Sequence, residues 1–228
     1  MRNYSVKQVS VSFKWTFDRM LPALPGPSTP AFAALCKELH PYGLKAANIL
    51  VEAPTARLSD VAIRLALMDE GLIIGLSLTE LDLYCRDCYE EDVDVLVKIV
   101  EAFFVALKTI DEDIANGKAS IKMSSQIQLK AGESQAFLQE HLTGAEKIPN
   151  LIPEAAAYKV LPLQNSAAKT VQVTIARSVV YEDSLFIEVA ADYYGISDVA
   201  QLAKDANNDY ERVIEMLSLN VVEGIGGE

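Results

Sequence analysis

The chain has 228 residues, of which 50% are hydrophobic and 23% are charged. This composition is typical of a globular protein, so it excludes global disorder and a short peptide scaffold. The 32 acidic residues outnumber the 20 basic ones, which gives a formal charge of −12. Such a charge repels nucleic acid and anionic membranes, so we expect neither of them as a partner.

The sequence favours a soluble cytoplasmic protein. Its N-terminal segment alternates polar and apolar residues and lacks the continuous apolar core of a secretory signal. The densest apolar run, over 72–78, is much shorter than the roughly 18 to 20 residues that span a membrane. Three cysteines are also too few for a disulfide framework, which fits a reducing compartment.

A strand and a short helix are predicted at the start of the chain. Apolar residues alternate with polar ones over 9–17, the period of a strand with one buried face. Four prolines between positions 22 and 30 then interrupt regular structure. A short helix is predicted over 31–40, because Pro41 and Gly43 end it.

Three further strands are predicted near 46–53, 58–68 and 72–84. The polar triplet at 69–71 indicates a tight hairpin between the last two. Apolar residues change parity within the last segment, so we expect that strand to bend or bulge near Thr79.

A long helix is predicted over 90–116, with acidic residues at its start and Asn116-Gly117 at its end. Its apolar stripe is unusually broad, which is typical of a helix that is buried on two sides. The sequence therefore indicates either a shared core or a homodimer that covers this surface.

The same order of elements begins again after residue 117. The predicted elements of this second part are a strand over 121–129, a short helix over 133–142, strands near 156–163, 169–180 and 183–193, and a final helix over 198–219. We interpret 1–117 and 118–228 as two duplicated β-α-β-β-β-α halves that form one continuous domain.

The predicted fold class is α+β, with a curved antiparallel sheet and two long helices on one face. This order of elements is similar to the duplicated architecture of TATA-binding-protein-like folds, and more loosely to helix-grip and export-chaperone folds. The resemblance covers the order of elements and no signature residue, so it implies an architecture and no function.

One set of residues matches the ligands of a structural zinc ion. Cys36 and His40 are four positions apart on the short helix and so share a face, and Cys85 and Cys88 form a CxxC turn. Together they would make a Cys3His site. The second half repeats the histidine as His141 without its cysteines, which favours thiols that bind no metal.

The CxxC pair is also compatible with redox chemistry, although its acidic surroundings would raise the pKa of a thiolate. The acidic residues there are Glu80, Asp82, Asp87, Glu90, Glu91, Asp92 and Asp94. A solvated helix N-terminus explains this cluster, and a metal site or a docking surface for a basic partner are the alternatives.

The sequence offers no support for catalysis. Neither His40 nor His141 lies in a nucleophile-elbow context, and no phosphate-binding glycine motif is present. Lys14, Lys122, Lys130 and Arg64 fall on predicted polar strand faces, but no aromatic residues alternate with them as single-strand binding requires. We expect no catalytic residue and no cofactor other than zinc.

The leading functional prediction is a non-catalytic binding protein. A protein partner or a second copy would bind the open sheet face, the sheet edges or the acidic surface. The first alternative is a small-ligand-binding protein or enzyme with a pocket between sheet and long helix, lined by Phe103, Phe104, Tyr193 and Tyr194. The second alternative is a zinc-stabilised regulatory protein.

Overall fold

The computed structural model describes residues 2–22, 29–51, 63–114, 117–141, 155–160, 166–195 and 198–221. Within them the chain is α+β, as predicted. The strands are β1 (Arg2–Phe17), β2 (Ile49–Val51), β3 (Ile63–Leu67), β4 (Leu72–Leu76), β5 (Glu80–Arg86), β6 (Gly117–Gln128), β7 (Ala155–Val160), β8 (Thr170–Arg177), β9 (Ser184–Tyr194) and β10 (Leu219–Val221). The helices are α1 (Pro30–Leu39), α2 (Glu90–Leu107), α3 (Glu133–His141) and α4 (Val199–Met216).

Strands β1 to β9 form one antiparallel sheet in the order β2-β3-β4-β5-β1-β6-β9-β8-β7. The long strands β1 and β6 lie side by side at its centre, with Val11 opposite Met123. Strand β10 lies outside this order and pairs in parallel with the start of β1. No helix in the described ranges is long and apolar enough to cross a membrane.

The two faces of the sheet differ in burial. One face, here called the helix face, carries the buried apolar residues of each strand, such as Phe13, Leu83 and Val189. The long helices α2 and α4 contact each other over this face, and α1 packs on α2. The opposite face, here called the open face, carries Ser12, Lys14, Arg64, Ala66, Ile73, Tyr84, Arg86, Lys122, Glu188 and Asp192, all exposed or half-buried.

Trp15 joins the centre of the sheet to α2. Its ring is buried and meets Phe104 of α2 edge to face, with the ring centroids 5.0 Å apart. The next strand passes close to it, because a β-carbon at Gly117 would lie 2.6 Å from the indole nitrogen. Gly117 is therefore needed at the start of β6, where the sequence pattern predicted the end of a helix.

The first long helix is shorter than predicted. It ends at Leu107, and the Ile110 N–H bonds to the Leu107 carbonyl in a tighter turn. Arg19, beyond the end of β1, forms ion pairs with Asp111 at 2.5 Å and Asp113 at 2.9 Å. The apolar pattern continued through this segment, but tertiary ion pairs and turn hydrogen bonds replace the helix.

The segment predicted as one bent strand over 72–84 is a hairpin of β4 and β5. The Ser77 N–H donates to the Glu80 carbonyl at 2.9 Å, and the Ser77 hydroxyl accepts from the Thr79 and Glu80 N–H groups. The change of parity therefore marks a reversal of the chain and not a bulge. The hairpin predicted at 69–71 is present, with the Gly71 N–H bonded to the Met68 carbonyl at 3.0 Å.

Candidate functional site

A concave region lies on the open face, between the edge strand β2 and strands β3 to β5. It encloses about 700 Å³. We call it the open-face cavity and define it by Leu50, Arg64, Ile73, Tyr84 and Arg86, which all line it. Ile73 and Tyr84 are each 43% exposed and Leu50 is 52% exposed, so the cavity offers apolar surface to a partner.

The strand register places these residues in three rows across the open face. Arg64 is paired with Gly75 in the first row, and Ile73 is paired with Tyr84 in the second. Arg86 follows two positions after Tyr84 and begins the third row. Because side chains on one face recur every second residue, adjacent rows are roughly 7 Å apart. The two arginines therefore flank the apolar pair.

A second depression extends this surface towards the centre of the sheet. It encloses about 350 Å³ and shares Arg64, Ile73 and Tyr84 with the open-face cavity. Gly75 lines it and contributes no side chain, and Ser12 of β1 forms its far end. The concave surface thus continues from the β2 edge to the central strand β1.

The cations on this part of the open face differ in their ion pairing. Lys14 of β1 lies 3.1 Å from Glu80 and 3.4 Å from Asp82. Partial burial opposes its charge, but these two carboxylates outweigh that effect and raise the pKa of Lys14. Across the residues that the structure describes, Arg64 and Arg86 have no ion pair. They are exposed and available to an anionic group.

On the opposite flank of the open face, Asp192 is paired within the chain. Asp192 of β9 lies 2.8 Å from the Lys118 ammonium and accepts a 2.6 Å hydrogen bond from Ser120. Burial alone would raise the pKa of Asp192, but these two partners lower it. Tyr194, at the end of β9, lies under the ammonium groups of Lys118 and Lys169.

A smaller apolar space lies on the helix face, in the groove between α2 and α4. It encloses about 80 Å³. Its walls and floor include Val97 and Val100 of α2, Leu202 and Ala206 of α4, and Val11 and Met123 of the sheet. We call this space the helix groove.

The residues predicted to line a ligand pocket do not line the helix groove. Phe103, Phe104 and Tyr193 are buried in the core, and Tyr194 is half exposed on the other side of the sheet. The predicted position of the pocket, between sheet and long helix, does contain a cavity, but with different walls.

Of the predicted zinc ligands, Cys36 lies on α1 with His40 directly after it, and Cys85 lies on β5 with Cys88 in the connection to α2. The thiols of Cys85 and Cys88 are buried, and they donate to the carbonyls of Arg86 at 3.7 Å and Tyr89 at 3.8 Å. The interaction between the two thiols lowers the pKa of Cys85 and raises that of Cys88. Cys36 is half-buried on α1, where burial raises the pKa of its thiol, and His40 is exposed. Across the described ranges, no three His, Cys, Asp or Glu side chains cluster as metal ligands would. The zinc site stays a prediction.

The acidic residues before α2 serve separate structural roles. Asp92 accepts a hydrogen bond from the Tyr89 N–H and so caps the start of α2, and Asp87 accepts one from Gln8. Glu80 and Asp82 lie on the open face with Lys14. The predicted acidic cluster is therefore divided between the helix start and the sheet.

A scan against protein-family models finds no match, and a search of curated proteins finds none either. The function of the protein is therefore inferred from the geometry of the chain itself.

Sequence reasoning did not find the open-face cavity. It placed Arg64 on a polar strand face but did not connect it with Ile73, Tyr84 or Arg86. The available signal was the alternation over 80–86, which places Tyr84 and Arg86 on one face of the strand and Leu83 and Cys85 on the other. The hairpin at Ser77 was not predicted, and a single strand over 72–84 cannot place Ile73 beside Tyr84. The sequence prediction therefore did not bring these two residues together.

Proposed function

We propose that this protein is a non-catalytic binding protein that takes a protein partner on the open face of its sheet. The observation that carries the proposal is the open-face cavity, where Ile73, Tyr84 and Leu50 remain exposed on a concave surface. A concave surface that combines exposed apolar side chains with a few charged groups is the usual form of a binding site.

We also propose that the chain consists of two duplicated β-α-β-β-β-α halves. Strands β1 and β6 pair antiparallel at the centre, β5 and β9 flank them, and β4 and β8 come next. A long helix follows β5 in the first half and β9 in the second. On this basis we propose a TATA-binding-protein-like or helix-grip-like architecture, in which one sheet face would carry helices and the other would be free for a partner.

The proposal is tested with a photo-crosslinking amino acid in place of Tyr84, and in place of Val179 as the matched control. Val179 lies in the β8–β9 turn and is 98% exposed. We expect a discrete crosslinked partner from position 84 and none from position 179. The partner's binding to the purified chain should be lost with Ile73→Ser and kept with Val179→Ser. Equal capture at both positions would contradict the proposal.

The helix groove supports a second partner, which is another copy of this chain. Val97 and Val11 are only partly covered there, and a homodimer through α2 and α4 would bury them. We expect light scattering to show a dimer that Val97→Asp dissociates and Val179→Asp does not. A monomeric parent protein would refute this part of the proposal.

A small-ligand function is the alternative that the helix groove favours. Its volume of about 80 Å³ is well below the roughly 300 to 1,000 Å³ of ordinary ligand pockets. Any ligand there would be a small apolar molecule and not a cofactor. Native mass spectrometry of protein from its source cells would detect it as a retained mass.

A zinc-stabilised regulatory role for Cys36, His40, Cys85 and Cys88 is the remaining alternative. If zinc is structural, Cys85→Ala with Cys88→Ala will abolish bound zinc in elemental analysis and lower the melting temperature sharply. Cys36→Ala should give the same loss of zinc. A parent protein without zinc would end this alternative.

A further inference from the structure

We infer that the open-face cavity binds an extended protein segment in which a carboxylate side chain lies next to an aromatic or large aliphatic one. The inference rests on the proposed function, because it names the chemistry of the partner at that surface. The carboxylate binds Arg64, and the apolar side chain packs on Ile73 and Tyr84.

The apolar part of the segment is defined by the middle row of the cavity. Ile73 and Tyr84 are direct neighbours across β4 and β5, and both are 43% exposed. The depression at Gly75, of about 350 Å³, opens beside them and is bounded by Arg64. A ring inserted there contacts the Tyr84 ring and the Arg64 guanidinium together, which favours an aromatic residue.

The charge of the segment is defined by the two arginines. Neither has a carboxylate partner within the described part of the chain, whereas Lys14 on the same face has two. A guanidinium binds a carboxylate through two parallel hydrogen bonds. Asp69 and Glu70 line the Arg86 end of the cavity and offset its charge. Asp82 lies in the same row as Arg64, but it is paired with Lys14 at 3.4 Å. Arg64 is therefore the main carboxylate site.

The surrounding charge favours a peptide over a nucleic acid. Asp69 and Glu70 line one end of the surface, Asp82 lines the depression, and the whole chain has a formal charge of −12. These charges repel a continuous polyphosphate more strongly than a segment that carries one carboxylate at Arg64, because the polyphosphate has a charge at every residue. The rows of Arg64 and Arg86 are roughly 14 Å apart, which an extended segment spans with about four residues.

The test uses a fluorescein-labelled peptide Ser-Glu-Phe-Glu-Leu-Ser and its charge-reversed form with Lys in place of Glu. We expect fluorescence anisotropy to show binding of the acidic peptide alone. Arg64→Gln should weaken it about tenfold, the usual effect of losing a charged hydrogen bond, and Arg86→Gln about threefold. The matched control is Lys122→Gln, an exposed cation on the same face outside the cavity. It should change binding less than twofold.

The floor of the cavity provides an independent variant. Tyr84→Ser should weaken the acidic peptide about tenfold while both arginines remain, because it removes apolar contact area. Melting curves of each variant should match the parent, since these side chains are exposed. Equal effects of Arg64→Gln and Lys122→Gln, or equal binding of the charge-reversed peptide, would overturn the inference.

Two further outcomes separate the alternatives. Displacement of the peptide by a single-stranded oligothymidylate of similar affinity would assign the surface to nucleic acid and overturn the inference. If the peptide fails to bind but the crosslinker at position 84 still captures a partner, the docking surface stands and its assigned chemistry is wrong. If both experiments fail, the proposed function fails as well.

Discussion

The two long helices α2 and α4 have the same length and lie on the same face of the sheet, but they are held by different interactions. Helix α2 packs through Phe103, Phe104 and other apolar residues, and no polar side chain that the structure describes on it is buried. Helix α4 buries the carboxylate of Asp209, which accepts hydrogen bonds from Tyr193 at 3.0 Å and Ser166 at 2.6 Å.

This difference shows two ways of fixing a helix on a sheet. Apolar packing is non-directional, so the position of α2 depends on how well side-chain shapes fit. Hydrogen bonds to a buried carboxylate are directional, and they define where α4 lies along β9. We therefore expect α2 to be sensitive to lost volume and α4 to lost polar atoms.

The largest effect is expected at α2. Phe104→Ala removes the ring that packs on Trp15 and should lower the free energy of unfolding by about 3 to 5 kcal/mol in chemical denaturation. The neighbouring Val105 is 54% exposed, so Val105→Ala should change it by less than about 0.5 kcal/mol. Similar losses at both positions would show that packing does not fix α2.

The second effect concerns the carboxylate of α4. Asp209→Ala leaves the buried hydroxyl of Tyr193 without its acceptor and should cost about 2 to 3 kcal/mol. Combined with Tyr193→Phe it should cost less than the sum of the single losses, because the orphaned hydroxyl is gone. Glu211→Ala, on the exposed side of α4, is the control. Additive losses would contradict a directional role for Asp209.

The third effect is a pH dependence at Tyr4, which is buried on β1 and close to Tyr210 of α4. Burial raises the pKa of Tyr4 to about 12. The folded state keeps its proton while the unfolded chain loses it near pH 10, so stability falls as the pH rises from 10 towards 12.

Between pH 9 and pH 12, we expect Tyr4 to account for about 2 kcal/mol of the decrease in the free energy of unfolding. Tyr4→Phe should remove this contribution, as measured by chemical denaturation across that pH range. Tyr89→Phe should leave the loss unchanged, because Tyr89 is exposed. An identical pH profile for Tyr4→Phe and the parent would show that Tyr4 ionises as easily in the folded state as in the unfolded chain.

The smallest effect concerns the second polar contact of α4. The Tyr210 hydroxyl is 2.6 Å from the hydroxyl of Ser125, which is buried on β6. Tyr210→Phe should cost about 1 kcal/mol, the net value of one neutral hydrogen bond. In a double-mutant cycle, Ser125→Ala should add little to it. Independent losses would show that the two hydroxyls do not stabilise each other.

Much of the fold could be predicted from local patterns. The alternation over 9–17 predicted the second part of β1, which in the structure begins at Arg2, and the pattern over 183–193 predicted most of β9. Helix α1 was predicted within one residue at each end, because Pro41 and Gly43 follow it. The cap at Thr29 was not part of that prediction. Each of these signals lies within a few residues of the element that it defines.

The candidate site could not be predicted in the same way. Arg64, Ile73 and Tyr84 lie on three strands, and their contact depends on the β3–β4 and β4–β5 registers. The Ser77 turn sets the second register through three hydrogen bonds that the apolar pattern does not encode. Because the turn at Ser77 was not predicted, the residues of the site were not predicted to lie together.

The sequence by itself determined which strand residues are buried and where most helices begin, because these follow from period and capping chemistry over short distances. Only the tertiary structure decided which cations form ion pairs. Lys14 is paired with Glu80 and Asp82, whereas Arg64 and Arg86 have no carboxylate partner in the described part of the chain. Ion pairing depends on distances of a few ångströms between residues far apart in sequence, and these distances are set by strand register and packing.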